Sequence, residues 1–159
     1  MAARFDYAQA EEIRDTFASH GVRYLFIGKS GAILLGFPDT TQDADVFVEK
    51  SNANGAALVV ALRALGFTLD DAQAHEIRGG KDFVQLKNGP FDLDLIFAPD
   101  GIETFADAWA RHVDVEGFPV CHPDDIIRSK IAANRAKDRE SLPRLLSFRE
   151  YWLKQQRQA

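Results

Sequence analysis

Apolar and polar positions along this chain fall into alternating helical and extended blocks. Over residues 6–20 the apolar side chains Ala8, Ile13 and Phe17 recur at roughly helical spacing, with Asp6 placed to cap the first turn and Gly21 to end the helix. Residues 22–27 then form an apolar run that reads as a strand and stops at Gly28. Gly28-Lys29-Ser30-Gly31 reads as a turn, residues 32–35 as a brief helix-like segment, and residues 36–41 as a second turn. Asp43-Ala44-Asp45 opens another apolar run, Val46-Phe47-Val48. Ser51 or Asn52 caps a helix running to about Leu65, with Leu58, Val59, Leu62 and Leu65 on one stripe and Gly66 at its end.

Residues 67–97 read as strands: a short one at 67–69, then 82–86 and 91–97, the last two joined by the turn Asn88-Gly89-Pro90 into a hairpin. Residues 102–112 read as a helix, and 113–121 as one or two short strands around Gly117. His122-Pro123-Asp124-Asp125 starts a last helical region, with Pro123 near its first position and carboxylates at its N-terminus. That region runs to about Gln156 in two pieces, broken somewhere in 138–143. The pattern predicts one α/β (α+β) domain over 1–159: a small mixed β-sheet flanked by helices, with a core at about 20–121 and C-terminal helices at about 122–156.

Composition narrows the classes. A chain of 159 residues with 46% hydrophobic side chains is long enough for one domain with a real core. It holds no apolar run near the ~20 residues a membrane helix needs, and Met-Ala-Ala-Arg-Phe-Asp is not an apolar signal segment. Cys121 is the single cysteine. Together these predict a cytoplasmic protein without membrane contact. The net charge of −5 hides an asymmetry: residues 1–127 carry 10 basic and 21 acidic side chains, residues 128–159 carry 9 and 3. A basic tail on an acidic body can meet phosphates or nucleic acid, or simply balance its own domain.

The candidate chemistry is in the carboxylates. Residues i and i+2 of a strand share a face, so Asp43 and Asp45 are neighbours about 6.5–7 Å apart, and Asp92 and Asp94 repeat the arrangement. If the two strands are adjacent, three or four carboxylates converge, and such a cluster repels itself unless a cation occupies it. Hard oxygen ligands suit Mg²⁺ or Mn²⁺, which can clamp the attacking and leaving oxygens of phosphoryl transfer. Alternating aspartates also mark the wet face of an ordinary sheet. Gly28-Lys29-Ser30 is not a P-loop, because Arg23 stands where the first glycine is required. What remains is a strand, a glycine turn and a helix start, whose N–H groups, with Lys29 or Ser30, suit a phosphate.

This layout resembles the nucleotidyltransferase-fold superfamily, which shares a core with DNA polymerase β. The matching blocks are the glycine turn 28–31, Asp43-Ala44-Asp45, and Asp94 or Asp92 on a later strand. Gly36-Phe37-Pro38-Asp39-Thr40-Thr41-Gln42-Asp43-Ala44-Asp45, and the late stretch from Asp125 through Lys130 and Arg135 to Asp138, look closest to small prokaryotic members related to abortive-infection toxins. Lys29 stands where the family turn usually has Gly or Ser, and Asp39 where an arginine often precedes the threonine.

The resemblance implies a metal-dependent transferase moving a nucleoside monophosphate from an NTP to a hydroxyl of an RNA or protein acceptor. Asp43 and Asp45 would hold Mg²⁺ or Mn²⁺. Asp94 would be third ligand and base, with Asp92 its rival. Gly28, Lys29, Ser30, Lys130, Arg135 and Lys137 would face the nucleotide. Lys130 and Lys137, seven apart, share a face; a structural role, such as Arg135 or Lys137 pairing with Asp138, is the alternative. Other readings are an inactive member binding nucleotide, nucleic acid or a cognate partner protein, and a metal-dependent phosphohydrolase. The four histidines lack zinc-like spacing. Trp109, Phe148, Tyr151 and Trp152 read as core or interface rather than as base-stacking platforms.

Overall fold

A computed structural model describes residues 5–158; the N-terminal residues read above for a signal segment lie, up to Arg4, outside that range. Among the described residues six strands form one mixed sheet in the order β3-β4-β2-β1-β6-β5. They are β1 (Tyr24–Phe26), β2 (Asp43–Val48), β3 (Phe83–Leu86), β4 (Asp92–Ile96), β5 (Val113–Val115) and β6 (Phe118–Val120). The helices are α1 (Tyr7–Ser19), α2 (Gly28–Leu34), α3 (Asn52–Leu65), α4 (Asp71–Arg78), α5 (Phe105–Arg111), α6 (Pro123–Ala133) and α7 (Ala136–Gln158). The α/β expectation holds.

Alternation on the strands sorts the layers. Phe17 of α1 meets Tyr24 edge-on, and Tyr24 meets Phe26, so the face bearing these rings lies under α1. Phe47 meets Phe105 of α5 on the other face, and Asp43 and Asp45 share the Phe47 side of β2. Helices α2, α6 and α7 pack in series. A fully buried carboxylate ties α6 to α5: Asp125 accepts from Arg111 Nε at 2.9 Å and pairs with Arg128 at 3.2 Å.

Four expectations change. Helix α2 starts at Gly28 itself, not after a four-residue turn. Residues 67–69 belong to no strand, and α4 occupies part of the region read as extended. Asp70 accepts from the Gln73 N–H while the Gln73 side chain returns to the Asp70 N–H, a reciprocal cap that outweighs the weak apolar pattern there. Helix α5 is shorter than 102–112. The late helices part at Asn134, whose left-handed φ of 49° ends α6, while Pro143 lies inside α7. A proline removes one helical hydrogen bond and usually kinks or ends a helix; here the asparagine does the breaking.

Candidate active site

The two aspartate pairs meet. Strands β2 and β4 run parallel with Asp43 beside Asp92 and Asp45 beside Asp94. A cleft of about 170 Å³ opens over this end of the sheet. Asp43, Asp45 and Asp94 line it from the strands, Gly28 and Lys29 from α2, Lys130 from α6, Lys137 from α7 and Arg135 from the link between those two helices. Asp92 and Ser30 are not among its lining residues. Of the paired rivals, Asp94 is therefore the one that faces the cleft.

Ser30 has a different task. It is fully buried. Its hydroxyl donates to the Ile27 carbonyl at 3.1 Å and accepts from the Asp45 N–H at 2.9 Å. It thereby fixes α2 against the backbone that carries Asp45, a positioning role in place of the phosphate contact expected from sequence.

The carboxylates are electrostatically loaded. Burial, then the neighbouring Asp94 charge, pushes the Asp45 carboxyl well above the ordinary range. Asp94 is raised as well, chiefly by burial and by Asp43, although a hydrogen bond shared with Asp45 and another with Gln85 oppose this. Gln85 is the cross-strand neighbour of Asp94 on β3. The pair is thus poised to hold a proton when nothing else neutralises it.

On the opposite wall a nearly inaccessible carboxylate organises the cations. Asp138 is 1% exposed. It accepts from Arg135 Nε at 2.7 Å and pairs with Lys130 Nζ at 3.4 Å. Burial lowers the Lys130 pKa, with Asp138 and Asp45 opposing that shift; the Asp138 hydrogen bond raises that of Arg135. The pairing anticipated for Arg135 is present, yet both cations still border the cleft. Asp138 as organiser is what sequence reasoning missed: a lone aspartate among basic residues reads as a surface partner, and its burial depends on how α7 returns over α6.

The two departures from the family pattern also explain each other. Lys29 Nζ lies 3.3 Å from Asp39 Oδ2, and Arg144 of α7 reaches the same oxygen at 3.0 Å. Lysine and aspartate at unusual positions form one ion pair at the rim.

Gly28 brings the chain past Asp45. Its φ is +65°, and a Cβ there would stand 2.6 Å from Asp45 Oδ2. Gly28→Ala is expected to cost about 1–3 kcal/mol through backbone strain and that collision. Gly21→Ala is the control, since Gly21 has φ +68° and nothing within 4 Å of its Cβ position. Denaturant midpoints of the two variants separate strain from collision: the Gly28 variant should lose more.

The donor set suits a hard divalent cation: three carboxylates from adjacent strands, two of them carrying a proton burden that a cation would relieve. Among the described residues no three His, Cys, Asp or Glu side chains form a ready-made metal cage, so the carboxylates would have to turn toward an ion. No helix of the described residues is long and apolar enough to cross a membrane.

No family model matches this chain, and no curated protein does. Among solved structures it is similar to a crystal structure of a "putative nucleotidyltransferase" from Thermotoga maritima, with a TM-score of 0.55 and 16% identity. The match covers 87% of this chain and 91% of that one. At that identity the likeness speaks for the fold alone: this is a nucleotidyltransferase-like fold, in which the carboxylate cleft lies at one end of the sheet.

Proposed function

We propose that the protein is a metal-dependent nucleotidyltransferase that moves a nucleoside monophosphate from an NTP to an acceptor hydroxyl of an RNA or protein. One observation carries the reading: acidic side chains from two parallel strands face basic side chains from α6, α7 and the link between them across a single cleft. On this reading Asp43, Asp45 and Asp94 hold Mg²⁺ or Mn²⁺, with Asp92 beside Asp43 but outside the cleft lining. The bound ion would act as a Lewis acid on the phosphate oxygens. Lys29, Lys130, Arg135 and Lys137 face the negative charge of the triphosphate, beside the backbone at Gly28. The acceptor oxygen bonds to the α-phosphorus, the bond to the bridging oxygen breaks, and pyrophosphate leaves. Asp94 takes the hydroxyl proton as general base.

A second reading rests on the Lys29–Asp39 pair, which engages a cation that would otherwise be free for phosphate. It makes the protein a catalytically inactive module that binds nucleotide, nucleic acid or a partner protein, as a relative of abortive-infection toxins with a cognate partner would.

Incubation with α-labelled NTP and Mg²⁺ tests both. Labelled product with stoichiometric pyrophosphate, abolished by chelator, is the expected result. Tight NTP binding without turnover would favour the inactive module, and release of free phosphate would reassign the cleft to a phosphohydrolase.

A further inference from the structure

A second concavity adjoins the cleft. It has a volume of about 590 Å³ and lies between the α2–β2 loop and α7, walled by Phe37, Pro38, Pro143, Phe148 and Tyr151 with Arg144 at its edge. Phe37 and Phe148 meet edge-to-face with centroids 5.6 Å apart. The Arg144 guanidinium stands 5.4 Å from the Phe37 centroid. Tyr151 is 61% exposed, so of the core and interface roles read from sequence the core one does not apply to it, whereas Trp152 beside it is buried.

Two features say what this groove receives. First, it is joined to the cleft: Arg144 on its edge and Lys29 in the cleft hold the same Asp39 oxygen. Second, one stripe of α7 runs from cleft to groove. Lys137 lines the cleft, Arg144 and Tyr151 line the groove, and seven-residue steps keep all three on one side of the helix. The stripe is about 21 Å long. It belongs to the segment 128–159, where basic side chains outnumber acidic ones nine to three. An apolar pocket alone would suit an aromatic peptide equally well. A pocket at the end of a basic track suits a polyanion with planar rings, since single-stranded nucleic acid binds through backbone charge plus bases stacked on aromatic side chains.

We propose that this groove seats an unpaired base of a single-stranded nucleic-acid acceptor, whose backbone follows the α7 stripe so that its terminal hydroxyl enters the carboxylate cleft. The inference rests on the transferase reading and narrows its acceptor to nucleic acid.

The test is fluorescence anisotropy of a labelled single-stranded RNA octamer, in chelator and without nucleotide, against the intact protein, Tyr151→Ala and Tyr151→Phe. Base stacking on one aromatic ring predicts about a tenfold loss of affinity for Tyr151→Ala. Tyr151→Phe should stay within about twofold of the parent, because the stacking face is retained. Affinity should fall between roughly 50 and 200 mM salt, the range over which phosphate contacts weaken. Equal affinity of parent and Tyr151→Ala overturns the proposal. So does displacement of the RNA by a tyrosine-containing peptide at matching affinity, which would make the acceptor a protein. A parent dimer that Tyr151→Ala dissociates in sedimentation would also overturn it by making the groove a self-interface. NTP binding to the parent protein is measured in parallel. If NTP binds but RNA ignores Tyr151, only the groove proposal fails. If RNA depends on Tyr151 but NTP does not bind, the transferase reading fails instead.

Discussion

Asp45→Asn is expected to remove nucleotidyl transfer, lowering the rate about a thousandfold or more, and at the same time to raise the thermal midpoint of the metal-free protein. Both effects come from one cause. Asp45 is desolvated and faces Asp94 and Asp43, so its charge is disfavoured in the folded state unless a cation balances it. Loss of a ligand that carries several kcal/mol of charge stabilisation corresponds to a factor of about 10³ in rate. Without metal, the neutral amide relieves the repulsion, and relief of about 1–2 kcal/mol would raise the midpoint by roughly 3–6 °C in a chain of this size. Adding Mg²⁺ should then stabilise the parent and leave the variant unmoved. A variant that melts lower than the parent in chelator would show that the carboxylate is a structural group rather than one held under strain for binding.

Asp138→Ala is expected to have the largest effect on stability, a loss of about 3 kcal/mol, because removing one member of a buried ion pair leaves its partner uncompensated. Lys130, with 10% of its side chain exposed, would be that partner; Arg135, at 57%, can turn to water. The same change should weaken NTP binding, since two of the cations facing the cleft lose their anchor. Burial alone pushes the Asp138 pKa up, but Arg135 and Lys130 more than reverse this and hold it below the ordinary carboxylate value. A depressed folded-state pKa contributes stability that is present above the unfolded value and lost as pH falls through the folded one. The gap between parent and variant in thermal midpoint should therefore be full above about pH 4 and shrink below it. A gap that stays constant on acidification would contradict the buried pairing.

The sheet and its chemistry were legible to different degrees. Asp43-Ala44-Asp45 before an apolar run, and Asp92-Leu93-Asp94 in an alternating one, announce two strands with carboxylates on one face. Their adjacency is not in either segment; it follows from the parallel pairing of β2 with β4, across a connection that contains α3, α4 and β3. Helix α4 was hidden because residues 67–97 are dominated by extended patterns, although the Asp70–Gln73 reciprocal cap was there to be read. Pro143 drew the late break to the wrong place, and the left-handed Asn134 made it nine residues earlier in a segment without glycine. Lys29 and Asp39 looked like two independent departures from a family pattern, and only three-dimensional proximity shows them as one pair. Ser30 illustrates the opposite case: a hydroxyl in a glycine turn suggests a ligand contact, while its burial assigns it to the backbone of Asp45.

The most direct test of the account is a Mn²⁺ titration followed by electron paramagnetic resonance, with a nonhydrolysable NTP, on the parent protein and on Asp43→Asn and Asp45→Asn. The parent should take up Mn²⁺ together with the nucleotide, and each variant should lose this uptake while remaining folded. Mn²⁺ uptake of equal strength in parent and variants would contradict it, because the cation would then be held somewhere other than between the strands that bring Asp43, Asp45 and Asp94 to one cleft.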